Sequence, residues 1–153
     1  MSTKTRSKPI EDTPFNIVPI APEQREFSLK AALEAAKSAA ENKGQDIVVL
    51  DLTQQTSIFD FFVIATGTSR RQLHAIADDI DRTLKTFDIQ RSNRSGYEDS
   101  RWIVLDYGGL VVHLFDEETR SFYDLESLWG DSQRIDVQSA LQNVGTIVSQ
   151  TGS

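Results

Sequence analysis

Cysteine is absent from these 153 residues. Disulfide staples, thiolate nucleophiles and cysteine-bound metals are therefore excluded. Histidine is scarce. His74 and His113 stand far apart, without HExxH or any comparable metal-ligand spacing. No apolar stretch approaches the roughly 20 residues that cross a bilayer. The opening Met-Ser-Thr-Lys-Thr-Arg-Ser-Lys carries no apolar h-region, so it does not read as a secretory signal. An excess of positive charge is missing too. Sixteen Lys and Arg face 23 Asp and Glu, for a formal charge of −7. The sequence pI is about 4.8. Broad nucleic-acid binding needs clustered cations, whereas an acidic surface suits a basic partner. A soluble cytoplasmic protein is the expectation.

Proline is confined to one end. Pro9, Pro14, Pro19 and Pro22 are the full set, in a stretch with no consistent hydrophobic period. Residues 1–24 read as a flexible arm, 25–130 as one domain and 131–153 as a weakly structured tail. In that tail Val137, Leu141, Val144 and Val148 mark a weak amphipathic helix.

The domain has a clear alternation of elements. Ser28 is a candidate N-cap. Leu29, Ala32, Leu33, Ala36 and Ala40 then follow at helical spacing, and Gly44 is the expected C-cap. Ile47–Leu52 and Ile58–Thr66 read as strands. Their link is too short for a crossover helix, so they should pair antiparallel. Ser69 caps a second helix whose buried face is Leu73, Ile76, Ala77, Ile80 and Leu84. Asp78, Asp79, Asp81, Arg82 and Lys85 make its solvated side. Arg91–Ser100 reads as a loop or irregular edge, Ser121–Asp124 as a short edge strand, and Leu125–Trp129 as a helical turn.

A β-hairpin spans Arg101–Phe115, turned at Tyr107-Gly108-Gly109. Period-two alternation puts Ile103, Leu105, Leu110, Val112 and Leu114 on one apolar face. Trp102, Val104, Asp106, Val111, His113 and Phe115 share the other, which reads as an open docking surface. The order predicts an α/β fold: a two-layer mixed sheet with helices packed mainly on one face.

Chemistry is weakly marked. Asp51, Asp60 and Asp106 could imitate a carboxylate site for magnesium and nucleotidyl transfer, with Gly67-Thr68-Ser69 as a phosphate cradle. Yet neither GxGxxG nor GxxxxGK[ST] is present, and Ser69 is already explained as a cap. Trp102, Phe115, Phe122, Tyr123 and Trp129 are concentrated in the second half of the sheet; one or two should be core, and the rest suit an aromatic protein interface. An RNA-stacking reading would need Arg91, Arg94, Arg101 and Arg120 to cluster in space. It also meets the neighbouring acids Asp99, Asp106, Asp116, Glu117, Glu118, Asp124 and Glu126.

The motifs Gln45–Leu52, Ser57–Ser69, Arg71–Ile80, Arg101–Phe115 and Arg120–Trp129, in this order, resemble the ribosomal silencing factor (Iojap) family. The resemblance covers roughly Leu29–Trp129. It implies a nucleotidyltransferase-like topology without catalytic residues, metal or cofactor. It also implies binding to the large ribosomal subunit, mainly through its ribosomal protein number fourteen. Small-subunit joining would be blocked and translation lowered when nutrients are scarce. The implied partner-binding residues are Trp102, Asp106, His113, Phe115, Arg120 and Tyr123. Contact with ribosomal RNA and a homodimeric resting form are further expectations. The family's usual Asp-Tyr-Phe reads Asp60-Phe61-Phe62 here, which removes a hydroxyl at position 61.

Overall fold

A computed structural model describes residues 18–140. Helix α1 runs Pro22–Glu41, starting earlier than the Ser28 cap expected from the sequence. Pro22 explains the difference: in the first helical turn its missing N–H is no loss and its φ is already helical. Ser28 lies inside the helix and donates to Asp60 at 3.0 Å. The buried stripe is Ala31, Ala32, Ala35, Ala36 and Ala39, while Ala40 is exposed. Asn42, not Gly44, caps the end. Lys43 takes the left-handed turn at φ +68°. Gly44 donates to the Ala39 carbonyl at 2.8 Å, an approach that a side chain would obstruct.

Strand β1 (Gln45–Asp51) pairs antiparallel with β2 (Phe61–Thr66), as the short link requires. β2 begins later than Ile58 because the Asp60 N–H turns away to the Gly109 carbonyl, 2.7 Å distant. Helix α2 (Arg70–Lys85) has the expected cap, with Ser69 accepting from the Gln72 N–H. Its buried residues are the five read from periodicity. Its polar side is less free than expected: Asp79 accepts from Ser38 and Asn42, and Asp81 from Tyr107 and Arg91.

Strands β3 (Asn93–Ser95), β4 (Trp102–Asp106) and β5 (Leu110–Phe115) follow. Then come α3 (Glu117–Tyr123), α4 (Leu125–Leu128) and β6 (Gln133–Ile135). Residues 121–123 are therefore helical, not an edge strand. Asp116 starts α3 by accepting from the Thr119 N–H at 2.7 Å, and two glutamates favour its positive N-terminal end. Leu141, Val144 and Val148 lie outside the described residues.

The six-stranded sheet has the order β3-β4-β5-β2-β1-β6. β2 and β5 are parallel; the other pairs are antiparallel. Helices α1 and α2 cover the face carrying Phe61, Val63, Ile103, Leu105, Val112 and Leu114. Each large apolar side chain buried there contributes about 1.5–3 kcal/mol. The opposite face is not bare, which corrects the open-surface expectation for the hairpin. Leu50, Phe62, Ile64, Val111 and Phe115 form a second buried cluster, with Leu125 and Trp129 folded back against it.

Candidate docking face

The second face opens at the end of the sheet where β4 starts and β5 stops. A cleft of about 760 Å³ lies there, lined by Asp99, Arg101, Trp102, Asp116, Glu118, Thr119, Phe122 and Tyr123. The alternation of β4 puts Trp102 on this face. Its ring lies 4.9 Å from Phe115 at an interplanar angle of 28°, and 4.9 Å from Tyr123. Its indole N–H donates to His113 Nδ1 at 3.1 Å. The helical turn of α3 leaves Phe122 79% and Tyr123 55% exposed, and Leu128 on α4 is 75% exposed. Phe122 and Tyr123 lie 5.0 Å apart, a pair of exposed aromatic rings of the kind that interaction surfaces use.

Carboxylates rim the cleft. Asp116 is engaged as the α3 cap, while Asp99 and Glu118 reach outward as exposed residues. Asp99 sits on a loop that turns at Gly96, whose φ is +76°. A side chain on Gly96 would collide with the Trp102 carbonyl. His74 holds this loop by donating from Nε2 to the Tyr97 carbonyl at 2.6 Å. Its ring stacks on Tyr97 at 3.8 Å. That histidine is a loop anchor.

The six residues implied by the resemblance occupy unlike places. Trp102 is half-buried and Tyr123 exposed, side by side. His113 and Phe115 are 6% and 0% exposed, beneath them in the second core. Asp106 lies at the far end of β4 and accepts from the Gly108 N–H at 2.9 Å. Arg120 points inward and bonds Glu126, Thr66 and the Asp46 carbonyl. Phe122 and Leu128 were absent from that set. Phe122 belongs to the aromatic group read from the sequence, whereas nothing local in the sequence marks Leu128 as exposed.

The alternative catalytic constellation does not assemble. Asp51, Asp60 and Asp106 share one end of the sheet, as the β1–β2 and β2–β5 registers require. Gly67-Thr68-Ser69 follows Thr66 at the opposite end, with Gly67 roughly 23 Å from Asp60 along the strand at about 3.3 Å per residue. Each aspartate also has an internal partner: Arg25 and Thr53 for Asp51, Ser28 for Asp60, and Gly108 for Asp106. Among the described residues, no group of three or more His, Asp and Glu is placed to hold a metal ion. Nor is any helix there long and apolar enough to cross a membrane.

Asp51 offers a stability test. Burial opposes its charge, but the Thr53 hydroxyl and N–H and the Arg25 guanidinium outweigh it, holding its pKa below the usual 3.8. A lowered folded pKa adds stability above the unfolded value, lost as pH falls through the folded one. Asp51→Asn should therefore flatten the acid limb of the stability curve below about pH 4. It should also remove about 1–2 kcal/mol at pH 7, the scale of lost charge-assisted bonds. Denaturant midpoints across that range check both; an unchanged acid limb contradicts the assignment.

The geometry defines a two-layer α/β protein with an acidic, aromatic cleft at one end of its mixed sheet. A family model described as "Ribosomal silencing factor during starvation" matches residues 25–151. The chain is 37% identical to the ribosomal silencing factor of Bacillus subtilis over 109 residues, 71% of this chain and 92% of that one. The Halalkalibacterium halodurans relative is 33% identical over 107 residues, 70% and 92% of the two chains. A crystal structure of a Chromobacterium violaceum protein aligns with TM-score 0.65 and 34% identity, covering 67% of this chain and 85% of that one. This chain belongs to the ribosomal silencing factor family. It is thus a ribosome-associated translational repressor.

Proposed function

We propose that the cleft face around Trp102, Phe122 and Tyr123 docks on the large ribosomal subunit, mainly on its ribosomal protein number fourteen. The bound domain excludes the small subunit sterically, without a chemical step, in the cytoplasm. The observation that supports this best is the half-open aromatic cleft rimmed by Asp99, Asp116 and Glu118. Aromatic anchors hold a complex, while acidic groups speed encounter with a basic partner. The mixed sheet supports a nucleotidyltransferase-like framework that serves here only to present this face.

Direct readout of ribosomal RNA has less support. Arg91, Arg94 and Arg120 are each paired with Asp81, Asp78 and Glu126. That leaves Arg101 as the cation beside the cleft.

The test adds full-length protein to separated ribosomal subunits without nucleotide and follows their association by sedimentation. Protein should travel with the large subunit, and fewer joined ribosomes should form. Unchanged joining at saturating protein would refute steric exclusion. Exposed Phe122 and Leu128 also support self-association of the free protein, visible in the same run as a species heavier than 17.2 kDa.

A further inference from the structure

We infer that His113 is a positioning residue for docking: it holds the Trp102 indole in one orientation, and the fold is less stable for its presence. The inference rests on the docking role proposed for Trp102.

His113 sits where an apolar residue would be expected. It is 6% exposed. In the ladder it stands opposite Ile64 on one side and Val104 on the other. The Phe62 ring meets it edge-on at 4.5 Å. Its Nδ1 accepts from the Trp102 indole at 3.1 Å. In a neutral ring the proton then lies on Nε2, which is buried with no hydrogen-bond partner among the described residues. Burial alone lowers the pKa to about 4, so the ring is neutral and Nδ1 is free to accept at cellular pH.

A buried donor without an acceptor is unfavourable, and phenylalanine or leucine here would carry none. Packing therefore does not account for histidine at this position. What it adds is one bond to Trp102. The indole also meets the ring of Phe115, stacked at 28°, and the ring of Tyr123, tilted at 45°. Stacking on Phe115 restrains the tilt of the indole more than its rotation in plane. A single directional bond at Nε1 fixes that rotation before a partner arrives, which reduces the ordering needed on binding.

The experiment uses the full chain with ¹⁵N-labelled tryptophan. Trp129→Phe assigns the two indole signals. His113→Phe and His113→Leu remove the acceptor. His113→Asn places an amide oxygen close to the position of Nδ1. Three quantities are read: the denaturant midpoint, the shift and hydrogen exchange of the Trp102 indole proton, and cosedimentation with large subunits.

The apolar variants should unfold at the same or higher denaturant. Their Trp102 indole proton should move upfield and exchange faster. Large-subunit binding should weaken about two- to ten-fold, the range for one side chain immobilised on association. His113→Asn should recover the indole signal and most of the binding. If both apolar variants are less stable than the parent, His113 is a packing residue and the inference fails. An unchanged indole signal in them overturns it as well. Trp102→Ala, run alongside, separates two kinds of failure. Retained binding there overturns the docking role itself. Lost binding there, with full binding in His113→Phe, overturns the positioning role alone.

Discussion

Trp102→Ala should weaken binding to the large ribosomal subunit about 30-fold or more, the loss expected for an interface hot spot of about 2 kcal/mol. The domain should stay folded. Trp102 is half-buried at the lip of an open cleft, so truncation leaves a gap that water can enter. The stacking on Phe115 and Tyr123 and the bond to His113 are lost. That loss belongs with ordinary destabilising substitutions, about 1–2 kcal/mol against a domain stability of about 5–15 kcal/mol. Phe122→Ala is the companion control. At 79% exposure Phe122 has little to lose on truncation in the free protein, so weakened binding there reports the interface. Urea midpoints and cosedimentation on the same preparations decide the matter. Unaltered cosedimentation by Trp102→Ala, or an unfolded Trp102→Ala, would remove the indole from the docking role.

Much of the framework was legible because its signals are local. Helix α2 combines a Ser69 cap with five apolar residues at one spacing, and all five are buried. Hairpin alternation identified Ile103, Leu105, Leu110, Val112 and Leu114 as core, and each is 5% exposed or less. What was not legible depends on distant partners. Nothing local in β5 shows that Leu125 and Trp129 fold back to help cover Val111 and Phe115. Alternation distinguishes two faces; it does not say whether the second one is capped. Ser121–Asp124 reads as strand in the sequence because a Phe-Tyr pair has strand propensity, whereas the Asp116 cap starts a helix that runs through Tyr123. Within the site, the aromatic character around Trp102 and Tyr123 was visible. The inward direction of Arg120 was not, since its acceptors lie as far as Asp46 in sequence.

Arg120→Ala should lower the stability of the free protein by about 3 kcal/mol, near the lower end for breaking a buried ion pair from one side. Its guanidinium gives Nη2 to Glu126 Oε2 at 2.8 Å and Nε to Oε1 at 3.3 Å. Nη1 serves the Asp46 carbonyl at 2.7 Å and Thr66 Oγ1 at 2.8 Å. The side chains of Arg120 and Glu126 are 12% and 17% exposed. Water can thus rehydrate the abandoned acceptors only in part, which places the loss well above that of a surface pair. These bonds join α3, α4, β1 and β2 at one point. The segment they hold carries Phe122, Tyr123 and Trp129, so docking should weaken with it even if Arg120 never touches a partner. Arg120→Lys should restore little, because one ammonium cannot reproduce the forked geometry on Glu126 while reaching Thr66 and Asp46. A double-mutant cycle with Glu126→Ala separates the two roles. A coupling energy above about 1 kcal/mol in the free protein marks an internal tie. Parent-like stability in Arg120→Ala, combined with lost cosedimentation, would instead make Arg120 a direct contact with the ribosome.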